Sequence, residues 1–229
     1  MLDSLLSVPQ TLELKLSSPQ PRLRQKVELS LNINYVRAQI FRTELGKFEP
    51  AEDIGDTDGD LMVMKINALQ KGRQVIGPLS FTLNGTKYTS NKIEYDVIEA
   101  LPDVDKGVWI RKVFPNDSTV CIIIEQRIPA SRRVSKIDQN TSKYWVEPNS
   151  ANTITMKSAP SVHGLQYSTS VNFAEEGRFY NKKRELVNYL SGSSINYFKI
   201  VDKAGSIKIT KDDFINLPAD YKFQDIIVR

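Results

Sequence analysis

Residues 77–98 read Gly-Pro-Leu-Ser-Phe-Thr-Leu-Asn-Gly-Thr-Lys-Tyr-Thr-Ser-Asn-Lys-Ile-Glu-Tyr-Asp-Val-Ile. At the centre, Asn84-Gly85 supplies the pair that a type I′ turn requires, because both central residues take positive φ, where Asn and Gly are best tolerated. Counting outward from that turn sets Leu83 opposite Thr86 and Phe81 opposite Tyr88. This places an aromatic pair on one face and turns Ser80 and Thr82 to the other. Beyond the hairpin, Ile93, Tyr95 and Val97 alternate with charged residues, so a third strand is expected.

Alternation continues upstream. Leu12, Leu14 and Leu16 are interleaved with polar residues. After Pro19 and Pro21 come Val27, Leu29, Leu31, Ile33 and Tyr35, and later Met62, Met64 and Ile66. Each of these segments has one dry and one wet face, the period of a half-buried strand. Six or so short strands with turns between them and no helical period predict an antiparallel sandwich of immunoglobulin type over 1–101. The Cys-Trp-Cys hallmark of antibody domains is absent.

The arrangement Gly72, Ile76-Gly77-Pro78, Phe81-Thr82, Asn84-Gly85, Tyr88, Ser90-Asn91 resembles the BatD (Bacteroides aerotolerance protein D) family over roughly residues 8–100, most closely over 69–98. The resemblance implies an immunoglobulin-like module of a non-catalytic protein of the bacterial envelope, periplasmic or exposed on the cell envelope. It also implies work beside other Bat proteins in a membrane-associated assembly. Such proteins carry an N-terminal signal and a C-terminal anchor, and neither pattern is legible in this sequence: Met1–Pro9 lacks a basic region and an apolar core.

Strand pattern gives way to Pro, acids and Gly at Leu101-Pro102-Asp103-Val104-Asp105-Lys106-Gly107, which predicts a boundary and a second unit over 107–229. Strands are expected at 108–113 and 119–128 around a Pro115-Asn116-Asp117 turn. The unbroken run Val120-Cys121-Ile122-Ile123-Ile124 reads as a central strand buried on both faces. Others are expected at 143–146, 154–156, 165–173, 195–201 and 206–209, with Leu165, Tyr167, Val171 and Phe173 sharing a face. Thr210 reads as the cap of one short helix that includes Asp213 and Phe214. The whole is therefore expected to be all-β: two sandwich domains, the second β-rich with one short helix.

With 40% hydrophobic and 25% charged residues among 229, the chain has ordinary globular composition. Its longest apolar run is strand-sized, far short of the roughly 18 residues that cross a bilayer, so no transmembrane segment is expected. A net charge of +4 from 31 basic and 27 acidic residues is too mild and dispersed to suggest nucleic acid. Lys182-Lys183-Arg184, near Phe179 and Tyr180, is flanked by Glu175, Glu176 and Glu185 and reads as a solvated loop or hairpin tip. Asn84, Asn116 and Asn140 head Asn-x-Ser/Thr triplets, and these signify glycans only in a eukaryotic secretory setting.

Catalytic equipment is scarce. Cys121, the single cysteine, can form no intramolecular disulfide and sits in a core strand as a small apolar residue. His163, the single histidine, has no nucleophile elbow to serve. Asp56-Thr57-Asp58-Gly59-Asp60 could present oxygens to calcium, but its glycine does not fall at the EF-hand position, and a solvated acidic turn accounts for it. No catalytic, cofactor or metal residues are assigned, no cofactor is expected, and the binding residues are left open. The expected function is protein–protein interaction with other envelope proteins, through surfaces near Trp109, Tyr144 and Trp145 or through an exposed sheet edge. The alternative is a carbohydrate-binding sandwich in which those aromatics form an exposed stacking platform.

Overall fold

The computed structural model describes residues 12–32, 61–68, 70–83, 86–136, 142–149, 152–157, 164–201 and 207–228. Regular structure there is almost all β strand, and the chain divides into two compact units, Met1–Leu101 and Pro102–Arg229.

In the first unit, β1 (Leu14–Leu16), β2 (Lys26–Asn32) and β3 (Leu61–Asn67) form an antiparallel sheet in that order. Its register pairs Leu16 with Leu29, Leu29 with Met64 and Val27 with Ile66, so the alternating apolar residues of all three segments fall on one face. β4 (Gly72–Ile76) pairs with β7 (Ile93–Val97), and β5 (Ser80–Leu83) with β6 (Thr86–Thr89). In that hairpin Leu83 stands opposite Thr86 and Phe81 opposite Tyr88, the register counted from the turn. Asn84-Gly85 itself lies outside the described residues, as do Ile33 and Tyr35. Leu12, Leu14, Val27, Leu29, Ala68, Ile76 and Val97 are buried, each worth about 1.5–3 kcal/mol for the larger side chains.

Isolated backbone bonds, such as the Leu23 amide to the Ile98 carbonyl at 2.8 Å, and side chains together fasten these pieces. Asn91 takes both backbone groups of Leu14: its Oδ1 accepts from the Leu14 amide at 2.6 Å, and its Nδ2 donates to the Leu14 carbonyl at 3.1 Å. Ser90 Oγ accepts from the Leu79 amide at 2.9 Å and donates to the Asn91 carbonyl at 2.8 Å. Gly77 has φ +78, and a Cβ there would stand 2.8 Å from the Asn91 carbonyl oxygen, so conformation and space both demand glycine. Its bond to Pro78 is cis.

The second unit is organised around β9 (Thr119–Lys136). It pairs antiparallel with β8 (Gly107–Asn116), β10 (Ser142–Pro148) and β13 (Leu186–Ile200), and β13 pairs with β12 (Leu165–Tyr180). Val120–Ile124 are all buried, and alternate residues serve different cores. Val120, Ile122 and Ile124 pack with Leu165, Phe198 and Ile200 and with the small C-terminal elements. Cys121 and Ile123 pack with Ile195 on the opposite face. The C-terminal cover comprises β11 (Thr155–Met156) with β15 (Phe214–Ile215), and β14 (Ile207–Ile209) with β16 (Ile226–Val228).

Several expectations are corrected here. Strands β9, β12 and β13 extend well past their expected ends, because residues too polar to signal a buried strand still complete a ladder. The turn after β8 falls at Asp117–Ser118, one residue late, since Asn116 is still paired with Thr119 and its Oδ1 holds the Ser118 amide at 3.0 Å. Leu165, Tyr167, Val171 and Phe173 do not share a face. A bulge between Tyr167 and Thr169 inserts one extra residue. Leu165 and Tyr167 therefore stand opposite Ile200 and Phe198, whereas Val171 and Phe173 stand opposite Ile195 and Ser193. The short helix is a single 3-10 turn, Lys211–Asp213, whose Asp213 carboxylate accepts from the amide (2.7 Å) and hydroxyl (3.1 Å) of Thr210. Phe214 already belongs to β15.

Replacing Asn91 by Ala should leave the buried Leu14 amide and carbonyl without these partners and lower the stability of the first unit by about 1–3 kcal/mol. Urea denaturation of Asn91→Ala, with Asn91→Asp as a variant that keeps the acceptor, tests this.

Candidate interaction surface

Two aspects of the second unit carry its unusual side chains: the polar face of the sheet behind Cys121, and the far end of the β12–β13 hairpin. Along the first, Glu125 and Arg127 continue the same face of β9 beyond Cys121 and Ile123, because strand residues two apart point the same way. Glu125 is only 4% exposed and accepts from Arg111 Nε at 3.2 Å. Arg127 is buried, its guanidinium 4.3 Å from the centre of the Tyr189 ring. It donates to the Pro102 carbonyl and, at 3.0 Å, to that of Val104. Buried charges are tolerated only when paired in this way. The consequence is structural: Arg127 ties the segment Pro102–Val104 to the sheet of its own unit.

Trp109 is half-buried, its indole folded across Gly107 so that a Cβ there would meet the ring at 2.3 Å. That contact occupies aromatic surface a sugar platform would use. Tyr144 and Trp145 lie in β10, paired with Val134 and Arg133, but their side chains lie outside the described residues, as do His163, Asn140 and Asp56–Asp60. Among the described residues no three acidic, His or Cys side chains are grouped to hold a metal, and no helix is long and apolar enough to cross a membrane. A groove of about 420 Å³ runs between β8 and residues 221–227. There Lys112 Nζ is engaged by the Ile227 carbonyl at 2.5 Å, so the segment lies along β8 and covers it.

β12 stands in contrast. Among the described residues nothing pairs with its second edge over all of Leu165–Tyr180. Lys182, Lys183 and Arg184 form the tip that closes this hairpin. Asn181 Oδ1 accepts from the amides of Lys183 and Glu185, both at 2.9 Å, and Arg184 adopts φ +61, the left-handed residue of a three-residue loop. Asn181 was the legible signal for this tip, since Asn readily bonds backbone two residues on. Just inside it Tyr180 stands opposite Leu186, 72% and 42% exposed. On the other face Phe179 packs against Tyr189 at 6.1 Å.

Cys121 is fully buried. Burial pushes its thiol up to about 12 despite the opposing effect of Arg111, and it also raises the hydroxyl of Tyr197 opposite it. No family model, curated protein or solved structure matches the chain.

Because the folded thiol holds its proton more tightly than an unfolded thiol near 9, the stability linked to this group is intact below pH 9. It falls as pH rises from there towards 12. Chemical denaturation across that range should show a shallower alkaline loss for Cys121→Ala than for the parent, and Ellman's reagent should label native Cys121 only on unfolding.

Proposed function

We propose that this chain is a non-catalytic, envelope-exposed or periplasmic module that binds other envelope proteins of a Bat-type assembly, without nucleic acid or cofactor. The single observation that carries the binding role is the β12–β13 hairpin: its outer edge is unpaired among the described residues, and its end presents Tyr180 and Leu186 to solvent. Backbone groups along an open edge accept a further strand, and exposed aromatic and aliphatic side chains beside it give such docking its selectivity. The Bat-type setting is supported by the resemblance over 69–98. Of its residues, Ser90 and Asn91 fasten segments of this unit together, and Gly77 lies too close to the Asn91 carbonyl to carry a side chain, the role expected of residues that define a module. The immunoglobulin-like sandwich belongs to this same reading, supported by the antiparallel strands and their one-sided apolar faces.

Affinity capture from detergent-solubilised envelopes of the source cells should recover Bat-like membrane proteins with the parent chain. Recovery should drop at least about tenfold with Tyr180→Ser/Leu186→Ser, since exposed hot-spot side chains carry most of such binding. Equal recovery by parent and variant, or by an unrelated sandwich domain, would overturn the proposal.

A further inference from the structure

Near its free end, β12 reads Ala174-Glu175-Glu176-Gly177-Arg178-Phe179-Tyr180. Glu176 and Arg178 point to one face, both exposed, and neither forms an ion pair with any described residue. Gly177 lies between them on the opposite face, under the ring of Tyr189, where a Cβ would meet ring carbons at 2.1 and 2.3 Å. We propose that this edge pairs antiparallel with the same edge of a second copy of the chain, about a two-fold axis at Gly177.

A two-fold axis perpendicular to a sheet must pass through a residue, because paired residues share a face. With the axis at Gly177, Glu176 of each copy stands opposite Arg178 of the other, so two complementary charge pairs form at once. Ala174 stands opposite Tyr180, and Glu175 opposite Phe179. Moving the axis by one residue, to Glu176 or to Arg178, sets like charges directly opposite one another, which is unfavourable at cross-strand distance. Gly177 on the axis adds no side chain of its own where the two copies come closest, its face being covered by the ring of Tyr189. Exposed Tyr180 gains Ala174 of the second copy as a surface to cover. Charges on an open edge also serve to prevent pairing, but that role needs charges of one sign or charges turned inward. A self-complementary Glu-x-Arg selects one register instead.

This inference places a second copy on the same edge that the envelope-binding proposal offers to another protein, so the two occupants compete for it. Self-association is measured on the pure protein, so either can fail while the other stands.

The test uses charge reversal and complementation in sedimentation velocity. The full chain is expected to dimerise within a range up to roughly 100 µM, the strength of a small transient interface. Glu176→Arg alone and Arg178→Glu alone should each weaken self-association by about tenfold or more. An equimolar mixture of the two variants should restore dimers, because in the mixed pair every charge again meets its opposite. A second readout is independent of the first: oxidising a mixture of Glu176→Cys and Arg178→Cys chains should yield a disulfide-linked heterodimer, while either chain alone should not cross-link efficiently. A parent chain that stays monomeric over this range, dimers indifferent to both reversals, or a mixture that fails to recover would each overturn the proposal.

Discussion

Five consecutive apolar residues, Val120–Ile124, cannot be hidden by a single layer, because alternate side chains of a strand point to opposite faces. The second unit solves this by covering both. Val120, Ile122 and Ile124 meet the C-terminal elements and the buried ends of β12 and β13, while Cys121 and Ile123 meet Ile195 from the other side. With β9 fixed in the middle, its neighbours follow: β13 along its first twelve residues, β8 over nearly the same stretch, and β10 beyond. Burying Val120–Ile124 on both faces also raises the proton affinity of Cys121 and Tyr197, so the same constraint that orders the fold removes their chemistry.

The two faces of β9 part company after Ile124. On one, Gln126 turns to the neighbouring backbone, donating to the Asn152 carbonyl at 2.9 Å and accepting from the Ile154 amide at 3.0 Å. On the other, Glu125 and Arg127 remain buried but are held by Arg111, by Tyr189 and by two carbonyls of the segment Pro102–Val104. Charges in such places add little to net stability once desolvation is counted. What they contribute is geometry, since a guanidinium with fixed donors accepts only one placement of the segment it binds. The entry of the chain into β8 is set by that placement.

Where the apolar core ends, the hairpin of β12 and β13 continues on backbone pairing and on the packing of Tyr189 with Phe179 and Arg127, and among the described residues nothing pairs with its outer strand. A ladder of this length stays ordered because β13 is itself anchored to β9, so the outer strand needs only one partner. Among the described residues, that arrangement leaves hydrogen-bonding capacity unmatched along one edge, next to Glu176, Gly177 and Arg178. Both functional proposals grow from this geometry rather than from any catalytic group.

Much of this was legible in residue order. Asn84-Gly85 fixed the pairing of Phe81 with Tyr88 because turn length alone sets hairpin register. Alternation in Leu12–Leu16, Val27–Leu31 and Met62–Ile66 marked strands because burial on one face leaves a period of two. Val120–Ile124 announced a central strand because the run is short and rich in β-branched residues, and a strand covered on both faces buries every residue of it. The ends of β9, β12 and β13 were hidden, since polar residues paired by backbone leave no apolar period. The sides taken by Val171 and Phe173 were hidden too, because one unpaired residue near Tyr167 inverts every position after it and no side chain there signals a bulge. Ser90 and Asn91 stood out only within the family resemblance, and Leu14, held by Asn91, lies 77 positions away. Local composition thus settled which segments are strands and which faces are dry. Partnership at long range, and with it the open edge of β12, arose only when the folded chain brought distant backbones together, because hydrogen-bond pairing is satisfied in space and leaves no mark on neighbouring residues.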